Sequence, residues 1–348
     1  MKLKHSIVFS IVMLLVFACS KDKEIELEIN KFLGFVKPSN FPEPVYGFEN
    51  NAVSKEGFEL GRALFYEPRL SRNNTVSCGS CHLQSSAFTQ HGHDVSHGVD
   101  DRLGTRNSQP IMNLAWSNTF FWDGGVFDLD LQPLVPITNP VEMDETMEHV
   151  LTKLRSMPKY TALFKAAFGT EEITTARFTK ALSQFMLMCV SSNSKYDKVM
   201  RKEAGFSFTE EEQNGYAVFK ANCGSCHKEP LFTDDSFRNN GISVSVLNDE
   251  GRFGITLNPE DQYKFKVPSL RNLKYTAPYM HDGSFRNLNG VLNHYTSEVQ
   301  QTPNLDPLLM KDGKIGIGLT STEKTQLLAF LNTLNDEEFI KNPALAEQ

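Results

Sequence analysis

Positive charge, long apolar runs and cysteine are all scarce in this sequence, and each scarcity removes a class of protein. The 35 lysines and arginines stand against 42 aspartates and glutamates, a formal charge of −7. That balance argues against a nucleic-acid partner, which needs a basic surface, and permits a basic electron-transfer partner. No run after the first twenty residues is long and apolar enough to span a bilayer. Cysteine occurs at six positions, and four of them fall in one short motif that appears twice. The period-two alternation of strands is also rare, which points to a mostly helical chain.

The apolar run that does exist lies at the start. Lys2 and Lys4 precede Ile7 to Phe17, too short for a typical span, and Ala18-Cys19 closes it. Residues 1–18 therefore read as an export signal. The pattern is similar to a bacterial lipoprotein signal, in which Cys19 becomes the lipid-bearing first residue. Residues 19–44, charged and then marked by Pro38, Pro42 and Pro44, follow as tether and linker. The expected location is the cell envelope, as a periplasmic protein or a membrane-anchored lipoprotein.

In place of spare cysteines stands Cys78-Gly79-Ser80-Cys81-His82, repeated without change as Cys223-Gly224-Ser225-Cys226-His227. Cys-x-x-Cys-His is the attachment signature of c-type haem. Its two thiols share one face of a helical turn, where each can add to a haem vinyl group, and the adjoining histidine ligates the iron. A zinc site would need a second ligand pair, and a redox dithiol does not need the histidine. The duplicated pentapeptide reads as two covalently bound c-type haems. With Cys19 assigned to lipid, only Cys189 is left, inside the apolar run Phe185 to Val190, as a buried core residue. No pair remains for a structural disulfide.

A length of 348 residues suits about two domains. The expected fold class is all-α, with two tandem cytochrome c-like haem domains, 45–203 and 204–348, carrying long loops. Similarity beyond the pentapeptide supports a tandem duplication. Gly61-Arg62-Ala63-Leu64-Phe65 precedes the first motif and Gly215-Tyr216-Ala217-Val218-Phe219 the second. Ala87-Phe88-Thr89 follows one, and Leu231-Phe232-Thr233 the other. Arg106-Asn107 and Phe121-Trp122-Asp123-Gly124 are matched by Arg271-Asn272 and Met280-His281-Asp282-Gly283. Helices are expected over 54–65 with Ser54 as N-cap, over 144–168 and 171–200, from Thr209 into the second motif, and from Thr320 or Ser321 to Asn332. Gly92 to Arg106, rich in Gly, Asp and His, reads as a polar loop over the first haem.

Gly104-Thr105-Arg106-Asn107, Phe121 to Gly124, Asn139-Pro140-Val141-Glu142-Met143 and Thr276 to Gly283, in order with both haem motifs, resemble the bacterial dihaem cytochrome c peroxidase family, including its methylamine-utilisation maturase branch. The resemblance runs from about Val53 to Leu334. It implies a peroxidatic first haem with His82 as proximal ligand, and a second, electron-accepting haem with His227 as proximal ligand. It implies a removable distal histidine in a Ser-His-Gly loop, here His97, with His91 and His93 nearby. It also implies a distal glutamate, in a Leu-Glu-x-Gln context, as acid–base for peroxide cleavage. The context here is Leu129-Asp130-Leu131-Gln132, so Asp130 takes that place on an arm one methylene shorter. Its flanking leucines would raise its pKa if they shield it from water, and Glu142 is the next acid in line. Gly125 is a second departure, standing where many relatives carry arginine.

For the second haem, the implied distal ligand lies fourteen residues after the histidine of Tyr-x-His, which is Tyr295. Met280 competes, because methionine is the commoner thioether ligand of electron-transfer haems. The resemblance further implies one calcium ion on Asn107 and the carbonyls of Thr276 and Pro278. It implies a tryptophan between the haems, for which Trp116 is preferred over Trp122. The implied activity is reduction of hydrogen peroxide to water, with electrons from a small cytochrome c or copper protein. Two alternatives stay open: maturase-type oxidation of a protein substrate, which a Tyr295 ligand would favour, and a non-catalytic dihaem electron carrier. Membrane contact through a lipid anchor only, and a homodimer, complete the expected partners.

Overall fold

Each haem motif is delivered by a helix that a later helix crosses at a glycine. The computed structural model describes residue 32 and residues 34–90, 92–311 and 313–348; the export signal, Cys19 and His91 lie outside the described residues. The first delivering helix, α1 (Lys55–Phe65), starts at Ser54, whose hydroxyl accepts from Gly57 N–H. It buries Phe58, Leu60, Leu64 and Phe65. The first motif is itself a single turn, α2 (Cys78–Cys81). After a long irregular stretch come α3 (Leu134–Thr138), α4 (Met147–Arg155) and α5 (Pro158–Phe168). The central helix, α6 (Thr175–Met188), is buried at every position from Phe178 to Leu187 except Lys180. At Gly61 the approach of α1 to α6 is so close that a Cβ would lie 1.9 Å from the Ala181 carbonyl oxygen. Next comes the short α7 (Lys195–Met200), capped by Ser194 and Asp197.

The second half repeats the device. From a Thr209–Glu212 capping box, α8 (Glu210–Asn222) leads straight into Cys223. After α9 (Phe253–Thr256), α10 (Leu288–Asn293) continues as a π-helical turn over His294–Glu298. The chain ends with α11 (Ser321–Asn332), boxed by Thr320 and Glu323, and α12 (Glu337–Lys341). Here α8 meets α11 at Gly215, where a Cβ would lie 1.9 Å from the Gln326 carbonyl oxygen and 3.0 Å from Phe330 Cβ. The Gly61 position meets Phe185 Cβ at the same 3.0 Å. The repeated Gly-x-x-x-Phe is thus a repeated helix crossing. Strand among the described residues is limited to two antiparallel ribbons, β1 (Phe237–Arg238) with β2 (Phe265–Lys266) and β3 (Met310–Lys311) with β4 (Lys314–Ile315). The fold is helix-rich rather than wholly helical.

Two expected helices are broken. The 144–168 segment splits at Met157, which is extended because Pro158 follows it. The 171–200 segment splits after Met188, where the Asp336 carboxylate takes the N–H groups of Ser192 and Asn193 at 2.9 and 2.8 Å. A distant side chain supplies the partners that a continuous helix would have provided. Residues 34–348 form one contact-dense unit. Within it, Asp197 on α7 forms a fully buried bidentate pair with Arg271, both contacts 2.8 Å.

Candidate functional site

The first attachment turn is set by its neighbours. Ser77 N–H donates to Ser80 Oγ at 3.0 Å, closing the turn, and the bare Cα of Gly79 makes room for the Tyr66 ring. His82 Nδ1 lies 2.7 Å from the Phe88 carbonyl oxygen. A carbonyl only accepts, so Nδ1 carries the hydrogen and Nε2 is left free for iron. Burial holds the imidazole below its ordinary pKa, keeping it neutral. The second turn is built the same way: His227 Nδ1 lies 3.1 Å from the Phe232 carbonyl and 3.1 Å from that of Pro268. Phe88 and Phe232 are both fully buried, with φ of 60° and 58°. Left-handed backbone is rare for phenylalanine, and here it turns the carbonyl onto the histidine. These two residues were visible as part of the repeat, but no sequence signal marks their conformation.

Beside the second turn opens a cleft lined by Cys223, Cys226 and His227 and by largely apolar side chains. Thiols, free imidazole nitrogen and apolar space together fit a covalently held haem. Tyr295 and Met280 both line this cleft. Asn240 links them: its amide donates to Met280 Sδ at 3.3 Å, and it hydrogen-bonds the Tyr295 phenol. Burial pushes that phenol up to about 12, against the pull of Asn240. Tyr295 sits in the π-helical turn, a distortion often found at functional sites. Met280 also carries positive φ, 75°.

Around the first turn the loop from Gly92 to Arg106 is strapped down. His97 packs here, its carbonyl 3.5 Å from Cys81 Sγ and its Nδ1 2.7 Å from Asp101. The His93 ring lies 4.4 Å from that of His97. Asp144 ties the loop by accepting from Arg72 and Arg102 at 2.9 and 3.0 Å, and Asp100 pairs with Arg72. Gly98 is required by contact, since a Cβ there would meet the Val141 carbonyl at 2.3 Å. The same contact brings Glu142 close enough to act on the charge of Cys78 and Cys81. Burial raises the Glu142 pKa, opposed by Asn139, which donates to its Oε1 at 2.8 Å.

Asp130 accepts from the Tyr46 phenol at 2.8 Å and from Asn51 Nδ2 at 3.3 Å. Leu129 is buried, but Leu131 is 52% exposed, so the apolar shield expected on both sides exists on one only. Tyr46 and Asn51 belong to no motif and were not foreseen.

Asn107, Thr276 and Pro278 all line the second-haem cleft. Asn107 is fixed through its backbone N–H on the His281 carbonyl at 2.7 Å and its amide on Asp94 O at 3.0 Å. Among the described residues no group of three or more His, Cys, Asp or Glu is placed to hold a metal. Trp116 lies away from this cleft; its Nε1–H donates to Pro42 O at 2.9 Å, and its ring packs on Phe41 and Phe35. It is Trp122 that lines the cleft, donating to Asn107 O at 2.9 Å. Beside Gly125, Arg252 reaches the carbonyls of Asp123 and Gly124 at 2.8 and 3.1 Å. Cys189 is fully buried, with its thiol 3.5 Å from Phe185 O.

Comparison with known proteins adds to this geometry. The family model for di-haem cytochrome c peroxidase matches residues 55–205. Methylamine utilization protein MauG of Methylorubrum extorquens is 36% identical over 313 residues, covering 87% of this chain and 84% of the relative. Cytochrome c551 peroxidase of Nitrosomonas europaea is 34% identical over 292 residues, covering 82% of each chain. A crystal structure of a MauG-like protein associated with microbial copper homeostasis matches with a TM-score of 0.81 at 34% identity, covering 89% of this chain and 98% of that one. The diheme peroxidase BthA from Burkholderia thailandensis shares the fold, with a TM-score of 0.73 at 20% identity over 85% of this chain and 91% of its own.

Proposed function

This chain belongs to the di-haem cytochrome c peroxidase family of oxidoreductases, and on that premise we propose that it reduces hydrogen peroxide to water at the first haem, using electrons that a small cytochrome c or copper protein delivers at the second. The observation that carries the reading is an asymmetry. Both proximal histidines are held alike by a left-handed phenylalanine carbonyl, while their surroundings differ. The first turn has His97 and the carboxyl of Glu142 beside it; the second has the Met280 thioether and the Tyr295 phenol. When bound, the haems supply the redox chemistry and the site at which peroxide is split.

The protein's part is to hold ligands and move protons. Asp130, kept in place by Tyr46 and Asn51, takes the acid–base role, and Glu142 is the reserve acid. His97, steadied by Asp101, acts as a removable sixth ligand of the resting first haem. The two helix crossings support division into domains 45–203 and 204–348. Calcium on Asn107 with the Thr276 and Pro278 carbonyls, a lipid anchor at Cys19, and an envelope location belong to the same proposal. Asp130→Asn keeps the side chain's size and removes its base, so peroxide turnover should fall by about 10²–10⁴-fold with both haems retained. Unchanged turnover would move the role to Glu142.

A second reading, oxidation of a protein substrate by the same haems, is favoured by one observation. Tyr295 lines the cleft on its own π-helical turn. The optical spectrum of the oxidised protein separates the two: under this reading Tyr295→Phe changes the second haem's spectrum and Met280→Leu does not.

A further inference from the structure

We propose that Tyr196, Glu229 and Tyr216 form a redox relay carrying oxidising equivalents from the proximal side of the second haem to the protein surface, a role that rests on the peroxidase reading above. Two phenols converge on one carboxylate: Tyr196 Oη lies 2.5 Å and Tyr216 Oη 2.9 Å from Glu229 Oε1. Tyr196 is buried, at 3% exposure, and Tyr216 is partly exposed on α8. Tyr196 packs edge-on against Phe232 with centroids 4.8 Å apart, and the Phe232 carbonyl holds His227. The two tyrosine rings lie 6.4 Å apart, and Tyr216 stacks on Phe330 at 5.0 Å. A file of three rings, Phe232, Tyr196 and Tyr216, therefore runs from the residue whose carbonyl holds the iron-side histidine out to the partly exposed face of α8. Packing alone does not call for phenols here, since phenylalanine would bury the same rings without a hydroxyl to satisfy.

The carboxylate gives the pair its chemistry. Burial, and then the hydrogen bond to Glu229, push both phenols above their ordinary pKa, so each keeps its proton until it is oxidised. Hydrogen peroxide takes two electrons in becoming water and leaves the haems short of them. Tyr196 supplies one: its O–H bond breaks, the electron goes to the second haem and the proton to Glu229. The neutral Tyr196 radical then takes an electron from Tyr216 and recovers a proton from Glu229, while the Tyr216 proton replaces it on the carboxylate. The net change is one electron moved from Tyr216 to the haem and one proton moved from Tyr216 to Glu229. The small cytochrome c or copper protein of the peroxidase reading, too large to enter the haem cleft, gives one electron to Tyr216 and is itself oxidised by one electron, and Glu229 returns the proton.

The holoprotein, prepared with ordinary and with ring-deuterated tyrosine, is mixed with equimolar hydrogen peroxide and freeze-quenched for electron paramagnetic resonance. The expected signal is an organic radical whose hyperfine structure collapses on deuteration. It changes shape in Tyr216→Phe and is lost in Tyr196→Phe, with the resting haem spectra of both variants unaltered. Glu229→Gln keeps size and an acceptor oxygen but takes up no proton, and its radical yield should fall. A radical insensitive to deuteration, or unaltered in both phenylalanine variants, overturns the relay and leaves the peroxidase reading standing. Haem spectra that do not respond to peroxide at all overturn both.

Discussion

Gly215→Ala is the sharpest test of how the second attachment turn is positioned. An added Cβ would stand 1.9 Å from the Gln326 carbonyl oxygen and 2.5 Å from its carbon. Both are main-chain atoms of α11, so no side-chain rotation relieves the contact and α8 must lift away. A separation on the order of 1 Å forfeits a quarter to a half of the dispersion energy at each contact along the crossing. Overpacking of this kind costs about 1–3 kcal/mol, and the rigid obstacle places this site at the top of that range. Alanine's better helix propensity returns about 1 kcal/mol. The net expectation is a loss of about 2 kcal/mol, or roughly 3 °C in Tm for a unit of this size. Thermal unfolding of the holoprotein followed by circular dichroism measures it. Gly61→Ala, facing Ala181 O at the same 1.9 Å, should behave alike. If either variant is instead stabilised by about 1 kcal/mol, the value of propensity alone, the close crossing is refuted.

Asp197→Ala strands Arg271 as a buried, unpaired cation and should cost about 3–5 kcal/mol in denaturant titrations. Burial alone would raise the Asp197 pKa, but Arg271, Ser194 and Asn40 outweigh it and hold the carboxyl below its ordinary value. The unfolded chain therefore binds that proton more readily, so the stabilisation is complete above about pH 4 and is lost as pH falls through the lower folded value. The acid-unfolding profile of the variant should lack that component. If calcium sits on Asn107, a chelator should lower the melting temperature of the wild type and leave Asn107→Ala unmoved. Should His97 ligate the resting first iron, His97→Gly should turn that haem's oxidised spectrum high-spin, and an unchanged spectrum would remove His97 from the site.

What was legible in the sequence was local. The starts of α1, α8 and α11 follow from Ser54, Thr209 and Thr320, because an N-cap acts within three residues of itself. The break near Cys189 was not legible, since its cause, Asp336, lies 144 residues from Ser192. The same holds for Asp130, whose partners Tyr46 and Asn51 stand 84 and 79 residues away. The Met157 break was written in Pro158, but apolar periodicity on both sides concealed it. Choosing between Trp116 and Trp122 required knowing which ring faces the cleft, and both lie in similarly apolar surroundings. Phe88 and Phe232 show the limit most clearly: the repeat exposed them, but a left-handed phenylalanine has no sequence signature.

The duplication explains why two haem sites on one scaffold can divide a reaction between them. A protein sets a haem's behaviour through axial ligands, hydrogen bonds to those ligands, burial and nearby charge. On the proximal side the hydrogen bonds are matched, each histidine meeting two carbonyls, those of Phe88 and Gln109 for His82 and those of Phe232 and Pro268 for His227, while Asp234 and Arg238 act on the charge of His227. Further divergence comes from what the loops bring. Beside the first turn they bring the Glu142 carboxyl and a histidine paired with an aspartate. Around the second they bring Asn240, Met280 and Tyr295, with Arg238 paired to Asp234 and Asp306 at the cleft wall. Reducing peroxide consumes protons as well as electrons, so a carboxyl and an imidazole beside the first turn suit that chemistry, while a thioether and a phenol in the second cleft suit iron ligation. Because the crossings at Gly61 and Gly215 fix the helices while the loops vary, each haem could be retuned without disturbing the packing that presents it.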